Sequence, residues 1–260
     1  GIRDSSTSRG LGDVYKRQNS RTAEVTGRPV TISGSRSYDS TTTADSSILT
    51  ITSGVSGESL SLTGAGILGA ASAGTQTITN NNTLAIADGT GSASNYTLNG
   101  ASINVTVIPK TLNVTLAREY DGTTTVAGAL LTPTFDSLQG GETLAISGTG
   151  SVANANVGSS KAVTLGTIAL AAGSGNPSNY SLNSVLLDVT QRVINLDGIR
   201  AYDATTNVLS SDINTFGNIV SGETLTISGT GSVATNSVEM NKAISLGTCL
   251  LYTSDAADER

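Results

Sequence analysis

Apolar residues recur at every second position through much of this chain. Ile103, Val105 and Val107 alternate with polar neighbours, as do Leu144 and Ile146, Val163 and Leu165, and Val185, Leu187 and Val189. A period of two matches the pleat of a strand with one face buried. Asn99–Gly100, Gly148–Gly150 and the glycine- and asparagine-rich stretch 173–179 punctuate these runs and read as turns. No segment has a convincing helical period.

The pattern repeats. SYDSTTT (Ser37–Thr43), EYDGTTT (Glu119–Thr125) and AYDATTN (Ala201–Asn207) place Tyr38, Tyr120 and Tyr202 at intervals of 82 residues. Val30 and Ile32, Leu112 and Val114, and Ile194 and Leu196 keep the same interval. Downstream, SGESLSLTG (Ser56–Gly64), GGETLAISGTG (Gly140–Gly150) and SGETLTISGTG (Ser221–Gly231) match, and SNYTLN (Ser94–Asn99) matches SNYSLN (Ser178–Asn183). The copies are placed at 28–109, 110–191 and 192–248, the last one truncated, with 19–27 as a leader or linker. Six or seven short strands are expected in each copy. The predicted fold is all-β: tandem small antiparallel sandwich-like repeats arranged as an elongated rod. Pro109 lies between two apolar alternating runs, so the closing strand of the first copy is expected to lead almost straight into the opening strand of the second. Tyr38, Tyr120, Tyr202, Tyr96 and Tyr180 occupy repeat positions and are expected to be core anchors.

Both ends read differently from the middle. Asp13–Gln18 can be encoded by an 18-base sequence whose reverse complement, read one base into its frame, encodes Cys249–Thr253 and the start of Ser254. That element resembles the mosaic end of a transposon-based sequencing adapter. Residues 1–18 and 249–260 are therefore assigned as adapter-derived, and are expected to be disordered or docked without consistent partners. Without Cys249 the remaining stretch has no cysteine for a disulfide or a thiolate metal site.

The chain contains no His and no Trp, and charged residues make up only 13% of it. Its net charge of −6, with no basic cluster, argues against nucleic acid and anionic membrane surfaces as partners. No apolar run is long enough for a membrane-spanning helix. Asp39, Asp121 and Asp203 are Ca²⁺ candidates, helped by Glu58, Glu142 or Glu223, but a calcium site wants six to eight oxygens and each Asp stands alone before Thr residues. Capping of a turn by the Asp side chain is the preferred reading. Lys161 and Lys242 are repeat-equivalent and could supply an isopeptide crosslink, set against a solvated lysine on a strand edge. No cofactor is expected. No catalytic constellation stands out from the repeat pattern, so the chain is read as a non-enzyme.

With YDGTTT at Tyr120–Thr125, GGE at Gly140–Glu142, NVGSSKAVT at Asn156–Thr164 and NY at Asn179–Tyr180, the sequence resembles the YDG repeat family of bacterial exoproteins, which includes filamentous-haemagglutinin-like adhesins exported by two-partner secretion. Ser40 and Ala204 replace the motif glycine in the other copies, which argues against a need for glycine to reach a positive φ there. The resemblance implies export, a cell-surface location and a role in adhesion. On that basis the repeats are expected to be stalk or spacer modules whose partners are neighbouring repeats. Two alternatives are direct binding of glycans or proteins through the loops, and a fragment of a carbohydrate-active enzyme.

Overall fold

A computed structural model of the chain describes residues 22–253; the expectation for residues 1–18 lies outside this range, as do residues 254–260. The chain divides into two compact units. Among the described residues, one comprises 22–36 and Thr41–Val107; the other comprises Ser37–Ser40 and 108–253.

The second unit shows one repeat in full. Its alternating runs form eight strands: Lys110–Glu119, Thr125–Ala127, Thr134–Phe135, Leu144–Ser147, Thr149–Ser151, Gly158–Ala162, Ala169–Ala172 and Tyr180–Thr190. The first, third, sixth and eighth make a four-stranded sheet, and the others pair two by two, Thr125–Ala127 with Thr149–Ser151 and Leu144–Ser147 with Ala169–Ala172. Val114, Leu116, Val126, Ile146, Val163, Val185, Leu187 and Val189 meet between the sheet and these pairs in one apolar core. The all-β, sandwich-like expectation is met. Among the described residues the only helical pieces are three-residue 3-10 turns.

The alternation could not reveal strand direction. The opening strand Lys110–Glu119 and the closing strand Tyr180–Thr190 run parallel, from Tyr180 opposite Lys110 to Thr190 opposite Glu119. They carry the largest numbers of buried residues in the repeat, and the other six strands lie between them in sequence. At the far end of this pair, the Tyr120 amide donates to the Thr190 carbonyl at 2.9 Å.

The first unit repeats the design with strands Arg28–Ser37, Thr43–Asp45, Leu49–Thr52, Leu60–Thr63, Ala65–Leu68, Gly74–Asn80, Ala85–Asp88 and Tyr96–Ile108. Its strand order is the same, except that the fifth and sixth strands pair, at Ile67–Asn80 and Leu68–Ile78 across a bulge, whereas in the second repeat a single bridge, Ser151 to Thr164, joins that region. Only Pro109 separates Tyr96–Ile108 from Lys110–Glu119.

Among the described residues the third copy has seven strands and no eighth. Asn195–Gly198 pairs with Ile213–Gly217 alone, and a cleft of about 1100 Å³ opens among Ile194, Leu196, Val208, Val233, Ile244 and Leu246. In the second copy the closing strand fills the corresponding place between the opening strand and the sixth strand.

One expectation about the ends is corrected. Leu250–Thr253 forms an antiparallel strand against Leu225–Ser228, as Ala169–Ala172 does against Leu144–Ser147. The Cys249 amide donates to the Leu246 carbonyl at 2.8 Å, as that of Ile168 does to Leu165 at 2.7 Å. Ladder bonds are made by the backbone, so any β-capable sequence can fill an edge position. Leu250, Leu251 and Tyr252 remain exposed, which shows pairing without core packing.

Candidate functional site: a tyrosine–glutamate joint between repeats

Two loops and one strand end build the site, starting with the turn that presents the glutamate. In all three copies a four-residue turn closes with the glutamate amide donating to a carbonyl three residues earlier: Glu58 to Val55, Glu142 to Gln139, Glu223 to Val220. The residue before the glutamate is Gly57, Gly141 or Gly222, each at positive φ, and a Cβ at any of them would meet nothing within 4 Å. Glycine is needed there for backbone conformation and not for space.

The second loop carries the YD motif. The Asp121 side chain accepts from the amide and hydroxyl of Thr123 at 2.9 and 3.0 Å, and Asp203 does the same with Thr205 at 2.9 and 3.0 Å. Arg118 reaches Asp121 at 2.9 Å and the Thr125 carbonyl at 2.6 Å; Arg200 reaches Asp203 at 2.5 Å and the Thr205 carbonyl at 2.6 Å. In the first copy Arg36 bonds the hydroxyl of Thr41 at 3.1 Å, and its carbonyl as well. Amide donation from Thr205, followed by the Arg200 contact, lowers the Asp203 pKa. These carboxylates cap turns and face arginine. Among the described residues no group of three or more acidic, His or Cys side chains is placed to hold a metal ion. The sequence reading missed the arginines, although Arg36, Arg118 and Arg200 keep the 82-residue interval and stand two positions before each tyrosine.

The third residue of the motif has positive φ in every copy: 64° at Ser40, 73° at Gly122 and 64° at Ala204. The substitutions by Ser and Ala therefore do not release the backbone from that conformation. Glycine is thus not required to reach it, as the substitutions suggested, and Ser40 and Ala204 carry side chains in a region that disfavours them.

Between these loops the tyrosines divide into two roles. Tyr180, 5% exposed, begins the closing strand and donates to Glu142 at 2.5 Å, while its hydroxyl accepts from the Gln139 amide at 3.0 Å. The other oxygen of Glu142 accepts at 2.6 Å from Tyr38, which comes from the preceding copy; Ser37–Ser40 belongs to the second unit. The rings of Tyr38 and Tyr180 meet edge to face, centroids 5.3 Å apart at 77°. Burial raises the Tyr38 pKa and, with the Glu142 contact, pushes that of Tyr180 up to about 12. The Asn179 side chain, next to Tyr180, also bonds the Tyr38 hydroxyl and opposes the rise.

The arrangement recurs one repeat later, where Tyr120 donates to Glu223 and the contact raises the phenol's pKa. In the first copy Tyr96 donates to Glu58 with the same consequence. Tyr202 departs from the core-anchor expectation: it is 64% exposed. Tyrosine in the YD motif docks on the glutamate of the copy that follows, and Tyr202 has no such partner among the described residues. Tyr38, Tyr96 and Tyr180 are buried as expected, Tyr120 packs half-buried against the core of its own repeat, and Pro109 sits in the link between two strands.

Lys161 stands on the edge strand Gly158–Ala162 of its sheet, as expected, but both lysines are engaged by loop oxygens. Lys161 gathers the Asn154 carbonyl and side-chain oxygen, both at 2.8 Å, and the Asn156 carbonyl; Lys242 gathers the Thr235 carbonyl at 2.8 Å together with the Ser237 carbonyl. Each closes the loop that precedes it.

Fold and site together define a tandem all-β repeat in which one copy's tyrosine is bound by the next copy's glutamate. The chain belongs to the YDG domain family, whose model matches residues 21–104 and 108–186. No curated protein and no solved structure gave a significant match.

Proposed function

We propose that these repeats are structural stalk modules of a secreted bacterial surface adhesin, setting the distance between the cell and an adhesive region elsewhere in the parent protein. The observation that carries this reading is the joint. Tyr38 with Glu142 and Tyr120 with Glu223 each pair the tyrosine of one repeat's sequence with the glutamate of the next. Modules that bind mainly their sequence neighbours extend as arrays, and arrays serve reach. Small polar and β-capable residues in place of reactive ones fit the same role, and the YDG family membership fits an exoprotein.

The test compares the repeats alone with the repeats in place. The isolated chain should bind neither host cells nor a glycan array. Adding or removing whole repeats in the parent protein should change the reach of adhesion under flow without changing its ligand. Saturable binding of one glycan or protein by the isolated chain would overturn the spacer reading in favour of direct recognition through the loops.

A further inference from the structure

Each joint also contains a steric match. At the second joint the motif residue is Gly122, and a Cβ there would lie 2.8 Å from Cγ1 of Val220, the first residue of the facing turn. At the first joint the motif residue is Ser40, which has a side chain, and the facing turn is Gln139–Gly140–Gly141–Glu142. A Cβ at Gly140 would lie 3.0 Å from the Ser40 hydroxyl oxygen and 3.4 Å from its Cβ. Each joint has therefore given up one side chain, on the loop side in one case and on the turn side in the other.

The turn of the first copy, Val55–Ser56–Gly57–Glu58, has the composition of the Val220 turn, with no glycine at its first two positions. Glu58 already accepts from Tyr96 as Glu142 does from Tyr180, and Val55 is 39% exposed. We infer that the Val55–Glu58 turn is a docking site for the tyrosine loop of a further YDG repeat, and that it selects a loop whose third residue is glycine. The occupant is defined by what covers the equivalent turns at Glu142 and Glu223: a tyrosine donating to the glutamate. By the same rule the Ala204 loop fits a turn of the Gln–Gly–Gly–Glu type and does not fit the Val55 turn of a second copy of this chain. The inference rests on the array-forming part of the proposed function and is independent of the adhesin part.

Self-association of the full chain, kept reduced, tests the rule by sedimentation velocity over a range of concentrations. Ala204→Gly gives the tyrosine loop the glycine that the Val55 turn requires. Val55→Gln with Ser56→Gly gives the turn the glycine that the Ala204 loop requires. Each change should tighten head-to-tail association by about tenfold or more relative to the parent chain. In both backgrounds Tyr202→Phe or Glu58→Gln should return it to the parent level, because the phenol–carboxylate bond is then missing. If neither glycine route increases association, or if the increase survives Tyr202→Phe, the size rule is overturned. Those outcomes leave the two joints within the chain, and the spacer reading built on them, intact.

Discussion

At the scale of single residues, the third motif position separates conformation from contact. Ala204 occupies the left-handed region in an exposed loop, where a Cβ costs about 1 kcal/mol relative to glycine. Ala204→Gly should therefore raise stability by roughly that amount in urea titrations at concentrations where the chain is monomeric. Gly122→Ala should destabilise by more, since it adds the approach to Val220 to the same backbone cost. The phenols give a second prediction. Tyr180 titrates near 12 in the folded chain against 10 unfolded, so its contribution is complete below pH 10, shrinks as pH rises from there to about 12, and is gone above. The urea midpoint should fall across that window, and Tyr180→Phe should flatten the fall while lowering stability at neutral pH by about 1–3 kcal/mol, because the Gln139 amide and Glu142 lose a partner. For the aspartates, EDTA should leave the melting temperature unchanged; a drop reversed by Ca²⁺ would show that Asp121 and Asp203 do more than cap turns.

Among elements, the closing strand Tyr180–Thr190 contributes most. Val185, Leu187 and Val189 are nearly inaccessible, and the strand lies between the opening strand and Gly158–Ala162. Leu187→Ala should cost about 2–5 kcal/mol, measurable as a shift in chemical denaturation. The edge strand Leu250–Thr253 should behave oppositely: Leu250→Thr should change little, whereas Leu251→Pro, which removes a backbone donor, should speed hydrogen exchange in Leu225–Ser228. Strands and repeat period were legible in the sequence because burial on one face writes a period of two and duplication writes 82. Parallel pairing of the first and last strands was not, since alternation is the same for either direction. The joint was half legible. Its tyrosines and glutamates stood out, but which copy each served depended on which chain segments fold together, and a buried Tyr38 reads in sequence like any core anchor. Tyr202 exposed that error, because a true core anchor would be buried in its own repeat.

For the molecule as a whole, the repeats are unequal. The second copy gathers ten buried residues in one core, whereas the third buries only Val208 and Ile213 among its large apolar side chains and carries the open cleft. Hydrogen exchange should show strong protection through Leu112–Leu116 and Val185–Val189 and rapid exchange in Asn195–Gly198; equal protection would mean that the third copy is stabilised without its eighth strand. A gene that encodes such an array changes length by unequal recombination between its repeats, and the joint dictates which changes survive. Loss or gain of one whole period still delivers a tyrosine to a glutamate, provided that one of the two facing loops keeps its glycine. A crossover that brings an Ala204-type loop against a Val55-type turn produces a chain of normal length with one loose link. Length variants should therefore come in whole periods, and their breakpoints should avoid that one combination.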